Sequence, residues 1–293
     1  MSENIGIILA GGLGTRLRPL TLSINKHLLP VYNKPMIYYP LSVLMLAGIK
    51  KIIIISNKES IPSFKNLLGN GKNLGISLEY LNQKKPNGIP ECFLIAKNKI
   101  KNKRVTLILG DNFFFGQNFP EEIKYCINSN LNGCTFFCYN VSNPQNYAVV
   151  NLNKKKVEIE EKPKKPKSNL VIPGLYIFDK NVSYLTSKLK KSRRNELEIV
   201  DLIKKYIKKN SFNYRKMKRG IAWLDMGSFA DLVSASNFIQ SYEERQNLMI
   251  GSPEEIAWRM GYISTSELIK LALIHKNDYG SYLLKITKEM NNE

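Results

Sequence analysis

The sequence predicts an α/β fold, a mixed and mostly parallel sheet flanked by helices, with a C-terminal helical appendage. Three observations carry this. Short runs rich in Ile, Val, Leu and Phe alternate with helical stretches through the first half of the chain. Those runs are almost continuously apolar, the pattern of strands covered on both faces. From Ser228 onward the pattern turns mostly helical. The 293 residues are 43% hydrophobic and 23% charged, which suits a chain with a sizeable core rather than a disordered one.

In chain order, strands are predicted over residues 5–10, 51–56, 77–81, 104–109 and 134–139. Helices are predicted between them over 35–47, 62–68, 90–99 and 120–127, each beginning at a proline, a residue at home in the first helical turn. Five more strands follow at 147–152, 156–160, 173–178, 212–217 and 221–224, interrupted by helices near 182–189 and 198–208. Helices at 229–244, 253–260 and 264–273 close the pattern, the first of them read as a packing element. Such a Rossmann-like sheet places ligands at the carboxyl ends of its parallel strands. Chemistry is therefore sought there.

Composition narrows the class further. No apolar run reaches the roughly 18 residues of a membrane span, and Met1-Ser2-Glu3-Asn4 lacks a cationic signal head. A soluble, cytoplasmic enzyme is expected. Cys92, Cys126, Cys134 and Cys138 form no CxxC pair and accompany only two histidines, which argues against a structural zinc site and a disulfide framework. The net charge of +20 is uneven: residues 151–219 hold 21 basic and 7 acidic residues, an excess of 14. The runs Lys154-Lys155-Lys156, Lys164-Lys165, Lys204-Lys205 and Lys208-Lys209 have few interleaved aromatics and no nucleic-acid motif. They read as a solvated face, with a polyanion surface as the alternative.

The strongest chemical signal follows the first strand. Gly11-Gly12-Leu13-Gly14-Thr15-Arg16 lets the backbone approach a phosphate, and Arg16 adds a forked cationic donor. The loop has neither the Lys-Ser/Thr of a Walker A sequence nor the spacing of GxGxxG, so it fits neither an ATPase nor a dinucleotide-binding dehydrogenase.

Leu9-Ala10-Gly11-Gly12-x-Gly14-Thr15-Arg16-Leu17, followed by Asn25-Lys26-His27-Leu28-Leu29-Pro30, resembles the signature of the sugar-phosphate nucleotidylyltransferase family. Asn33-Lys34-Pro35-Met36, Leu109-Gly110-Asp111-Asn112, Glu160-Glu161-Lys162-Pro163, Gly174-Leu175-Tyr176, Trp223-Leu224-Asp225 and Ser252-Pro253-Glu254-Glu255 resemble its thymidylyl-transferring branch in order and spacing. The resemblance covers essentially the whole chain. It implies magnesium-dependent transfer of a thymidylyl group from dTTP to glucose 1-phosphate, giving dTDP-glucose and pyrophosphate, the first step towards dTDP-rhamnose and related deoxysugars. It also implies a homotetramer with a regulatory nucleotide site at subunit interfaces, to which helices 253–260 and 264–273 either contribute or are core packing. No membrane partner is expected, and nucleic acid is disfavoured despite the charge.

Residue by residue, the resemblance assigns Asp111 and Asp225 to the metal, and Arg16, Lys26 and Lys162 to catalysis. Either aspartate alone could be a turn or cap residue, and Lys162 alone would read as solvated; the motifs single them out. Leu9, Gly11, Gly14, Thr15, Arg16, Gln83 and Gly88 are assigned to the nucleotide. Tyr147, Ala148, Glu161, Lys162 and Gly174 are assigned to the sugar phosphate. The implied organisation is an α/β domain over 1–245, its nucleotide part about 1–140 and its sugar-phosphate part about 141–227, then a helical segment over 246–293.

The sequence departs from the family pattern at His27, where glutamine is usual and where an imidazole is expected to titrate near neutral pH. It departs again at Pro90-Glu91-Cys92, where alanine, glutamine and alanine are usual; Glu91 is expected to set a negative charge close to the nucleotide. Ala148 replaces a glycine, and Pro173 removes a backbone donor from a predicted strand. These changes leave open a UTP-using or other sugar-phosphate sibling, or a protein that binds nucleotide-sugar without turnover. The full set of triphosphate and metal residues favours an active enzyme.

Overall fold

The computed structural model describes residues 3–129, 132–153 and 156–289. Its first half contains β1 (Asn4–Leu9), the short strands β2 (Pro30–Val31) and β3 (Lys34–Pro35), α1 (Tyr38–Leu46), β4 (Lys51–Ser56), α2 (Ile61–Leu68) and β5 (Ser77–Asn82). There follow α3 (Glu91–Ile95), β6 (Arg104–Leu109), β7 (Asn112–Phe115), α4 (Phe119–Ser129) and β8 (Cys134–Asn140). The second half gives β9 (Ala148–Asn153), β10 (Lys156–Glu161), β11 (Leu170–Ile172), β12 (Leu175–Phe178), α5 (Val182–Ser187), α6 (Ile199–Lys208), β13 (Phe212–Lys216) and β14 (Ala222–Asp225). The chain ends in α7 (Phe229–Gln246), α8 (Pro253–Arg259), α9 (Thr265–Ile274) and α10 (Asp278–Glu289).

The main sheet has the order β10-β9-β11-β8-β12-β6-β1-β4-β5, with β13 added beside β8. Strands β1, β4, β5, β6, β8, β9 and β13 run one way, while β10, β11 and β12 run the other. The sheet is thus mixed and mostly parallel. Apolar side chains leave both faces, as the unbroken runs require. One face packs Ile8, Ile54 and Ile108 against α1, α4 and the C-terminal helices; the other packs Ile7, Ile53 and Leu107 against α3, α5 and α6. A third cluster, including Leu17, Val31, Phe113, Met226 and Ile239, lies under α7.

Register explains where the site forms. Leu9 pairs with Leu109 between β1 and β6, and Ser56 with Asn82 between β4 and β5. The segments after these strands, which carry Gly11, Asp111 and Gln83, therefore emerge on one edge.

Several elements differ from expectation. The strand predicted over 173–178 is the shorter β12, and an unpredicted strand, β11, precedes it, because Pro173 and Gly174 break the ladder between them. The helix predicted over 90–99 keeps only the five residues of α3. Strand β7 follows β6 after two residues and is defined by its pairing with β14. Helix α10 extends the C-terminal segment beyond the helices predicted singly. Lys154 and Lys155 of the basic face lie outside the described residues. Among the described residues, no helix is long and apolar enough to cross a membrane.

Candidate active site

The loop after β1 turns sharply because Gly14 takes a left-handed conformation (φ 61°), which a side chain would strain. The Thr21 hydroxyl donates to the Gly14 carbonyl (2.8 Å) and closes the turn. Leu9 lends its carbonyl to the Gly110 amide (3.0 Å), which joins this loop to the one carrying Asp111. Gly11 faces the Gln83 amide and Gly12 faces the Lys26 side chain, so both polar groups border the loop. Thr15 begins a short 3-10 turn that ends at buried Leu17, and the exposed Arg16 guanidinium lies against Gly227.

Asp111 and Asp225 face one another through the β7–β14 pair, in which Asn112 is the register partner of Asp225. The Met226 amide donates to the Asp111 carbonyl (2.9 Å) and ties the two segments together. The Lys26 ammonium is ion-paired with Asp111. Burial opposes charge on Asp111, but Lys26 and the Asn112 amide outweigh it and hold the carboxyl below the usual carboxylate range. Asp225 moves the other way: burial, then the nearby Asp111, push it up to about 7. Two close carboxylates are thus held in opposite protonation tendencies.

Asn112, only 3% exposed, organises the surroundings. Its Nδ2 donates to Asp111 (3.0 Å), while its Oδ1 accepts from the Gly174 amide (3.0 Å) and from Trp223 Nε1 (2.7 Å). Gly174 is required by close approach, since a Cβ there would lie 2.6 Å from Leu109 and 2.9 Å from Asn112. Trp223 meets the Tyr147 ring edge-on, with centroids 5.1 Å apart. Tyr147 continues into Ala148, whose register partners are Glu161 and Ile172.

A cavity of about 490 Å³ opens between these groups. Arg16, Asp111, Asp225, Tyr147, Ala148, Glu161, Lys162 and Gly174 all line it. Lys162 sits just past β10 in a left-handed conformation (φ 45°), its amide bonded to the Tyr147 carbonyl (3.0 Å). Burial raises the Glu161 carboxyl above its usual range against the pull of Arg194. Leu9, Gly11, Gly14, Thr15, Lys26, Gln83 and Gly88 border the cavity region from the adjoining loops rather than forming its wall. Gly88 packs against the Leu197 backbone.

Sequence reasoning missed Asn112 as a site residue, although it stood inside a quoted motif. It also missed Arg194, whose guanidinium binds both oxygens of Glu198 (3.2 and 2.7 Å) and reaches Glu161 (3.2 Å). Arg193-Arg194 sits in the most basic stretch of the chain, so nothing local separates it from solvated charge. The expectation for His27 is overturned. The ring is 1% exposed, and burial followed by the neighbouring Lys26 pushes it down to about 3, so it is neutral near pH 7. Its Nδ1 lies 2.7 Å from Asn25 Oδ1. Glu91, at the start of α3, accepts from Gln83 Nε2 (2.8 Å) and Asn87 Nδ2 (2.7 Å).

Comparison with known proteins identifies relatives along nearly the whole chain. The nucleotidyl transferase family model matches residues 5–242. A glucose-1-phosphate thymidylyltransferase of Neisseria meningitidis serogroup A is 47% identical, covering 97% of this chain and 99% of its own. Its counterpart in Mycolicibacterium smegmatis is 44% identical over 96% of this chain and 98% of its own. A Bacillus anthracis structure, described as a glucose-1-phosphate thymidylyltransferase in complex with sucrose, superposes with a TM-score of 0.74 at 37% identity, covering 80% of this chain and 94% of that one. The agreement of sequence along nearly its whole length with that superposition places this chain in the nucleotidyl transferase family, among the glucose-1-phosphate thymidylyltransferases.

Proposed function

We propose that this protein transfers a thymidylyl group from dTTP to glucose 1-phosphate, releasing pyrophosphate and forming dTDP-glucose for dTDP-rhamnose and related deoxysugars. One observation carries the reading: the paired carboxylates Asp111 and Asp225 line a single cavity together with Lys162 and Glu161. That combination of functions suits a cavity that takes both a triphosphate and a sugar phosphate.

The family suggests a divalent metal, and the donor set suits magnesium. Asp111 and Asp225 offer hard oxygen ligands, and the burial and repulsion that raise Asp225 are what a cation relieves. When bound, the ion withdraws charge from the phosphate oxygens. The chain's own groups do the positioning. Arg16 and Lys26 sit beside the glycine-rich loop as cations for the triphosphate, Lys26 exchanging its partner Asp111 for phosphate oxygens. The loop brings backbone amides to the same phosphates. Gln83 and Gly88 hold the base; Tyr147, Ala148, Glu161 and Gly174 hold the sugar; Lys162 holds its phosphate. An oxygen of that phosphate attacks the α-phosphorus in line. The new P–O bond forms as the α–β bridge breaks, and the electron pair leaves with pyrophosphate, whose charge Arg16 and Lys26 neutralise.

We also propose a homotetramer. Ile269, Leu273 and Ile274 on α9 are exposed and give it an apolar face suited to a subunit contact. Residues 1–245 act as the catalytic unit, with the nucleotide held by about 1–140 and the sugar phosphate by about 141–227.

The sugar-phosphate wall is tested by Lys162→Ala. A lost charge-assisted contact to phosphate should raise KM for glucose 1-phosphate roughly tenfold or more while KM for dTTP changes little. An unchanged KM for the sugar phosphate, read by initial rates of pyrophosphate release, contradicts the assignment.

A further inference from the structure

The basic region carries a groove of its own, about 540 Å³ in volume, lined by residues of β10, of α6 and of the segment that follows α5. Strand β10 is the outermost in the sheet order, so the groove lies at the sheet's edge. It shares no lining residue with the catalytic cavity. Val157, Ile159, Leu189 and Ile207 give it apolar surface, and all but Ile159 stay partly exposed there. Six lysines join them. Lys156 is paired with Glu158 (3.2 Å) and Lys204 with Asp201 (3.9 Å), so both carboxylates that line the groove are answered. Lys188 rests over the Tyr184 ring, 5.6 Å from its centroid. Lys190, Lys205 and Lys208 have no carboxylate partner among the described residues.

Charge that serves solubility alone needs no apolar surface between the lysines. A nucleic-acid strand is held by aromatic platforms and arginine forks, and the groove lining has neither. A second copy of this chain carries the same net charge of +20 and is repelled. Clustered carboxylates with apolar side chains between them answer both the unpaired lysines and the apolar surface. We propose that this groove docks an acidic amphipathic segment of a partner protein. Its carboxylates pair with Lys190, Lys205 and Lys208, and its apolar side chains cover Val157, Leu189 and Ile207.

The test uses the full chain and a fluorescein-labelled peptide that alternates glutamate with leucine, read by fluorescence anisotropy. Kd should be on the order of micromolar at about 0.1 M salt. Glutamine in place of every glutamate, or serine in place of every leucine, should weaken binding roughly tenfold or more. Lys205→Glu combined with Lys208→Glu should weaken it by a similar factor, with a melting temperature close to wild type. Lys190→Glu, outside the helices, repeats the test should that pair unfold α6. The same charge change at the exposed Lys97 and Lys101, which do not line the groove, should move Kd less than about twofold. An equal loss in that control means that total charge alone holds the peptide, and it overturns the groove. A glutamine peptide that binds as tightly, or no binding of the glutamate peptide at about millimolar protein, overturns it too. So does a single-stranded oligothymidylate that binds more tightly and displaces the peptide, which would make the surface one for nucleic acid.

Discussion

At the scale of single residues, the site depends on tight packing and on the hydrogen bonds that Asn112 makes. Gly174 is the tightest point. A methyl group there meets Leu109 and the Asn112 amide, the group that also orients Asp111 and Trp223. Gly174→Ala should cost about 1–3 kcal/mol by overpacking and should lower turnover by shifting Asn112. Equilibrium unfolding alongside initial rates checks both, and a variant of wild-type stability and rate contradicts the packing argument. His27 gives a prediction with a defined sign. Its folded-state value of about 3 lies below the ordinary 6.5, so the unfolded chain takes up a proton that the folded protein refuses. The stability contributed is complete above about pH 6.5 and is lost as the pH falls towards about 3, at up to about 1.4 kcal/mol per pH unit. Denaturation at about pH 7 and about pH 5 should show a drop that is smaller by about 2 kcal/mol in His27→Gln. Equal drops would refute it. The sequence marked His27 as unusual, yet the reason it stays neutral is burial, which no local pattern reports.

At the scale of elements, α7 is fastened to the β2–β3 hairpin by an internal ion pair. Glu243 accepts from Lys34 Nζ (2.8 Å), from Asn33 Nδ2 (2.9 Å) and from the Ile250 amide (2.7 Å), and the two charged residues are 2% and 7% exposed. Burial lowers the Lys34 pKa from its usual value while Glu243 works to restore it. Glu243→Ala strands a buried ammonium and should destabilise the fold by roughly 3–5 kcal/mol, read by urea unfolding. A loss below about 1 kcal/mol would mean that the pair behaves as a surface bridge. The helix itself was legible from its pattern. Its inward glutamate was not, because Glu243-Glu244-Arg245 looks like a solvated helix end. The same contrast runs through the sheet. Strands such as β4 and β6 match their predicted bounds because an unbroken apolar run between turn residues defines them locally. Strand β7 exists through β14, and β11 and β12 separate at Pro173-Gly174, so their limits are set by pairing partners distant in sequence.

At the scale of the whole molecule, strand register does what the sequence motifs could only imply. It brings the loop of Gly11–Arg16, the strand-end Asp111 and the later Asp225 to one edge, where they share a cavity with Glu161 and Lys162. Motif-bearing residues at strand ends were readable in advance, since spacing and residue type announce them. The Arg194–Glu198 bridge to Glu161 was not, because it joins segments of the most basic region only after folding. We propose that the two carboxylates serve nucleotidyl transfer to a sugar phosphate. This is tested most directly by pyrophosphate release from purified protein with glucose 1-phosphate and magnesium, comparing dTTP with UTP and wild type with Asp111→Asn. Release should prefer dTTP and fall by about 10²-fold or more in the folded variant. Release undiminished in Asp111→Asn, or none from folded wild type with either nucleotide, contradicts it.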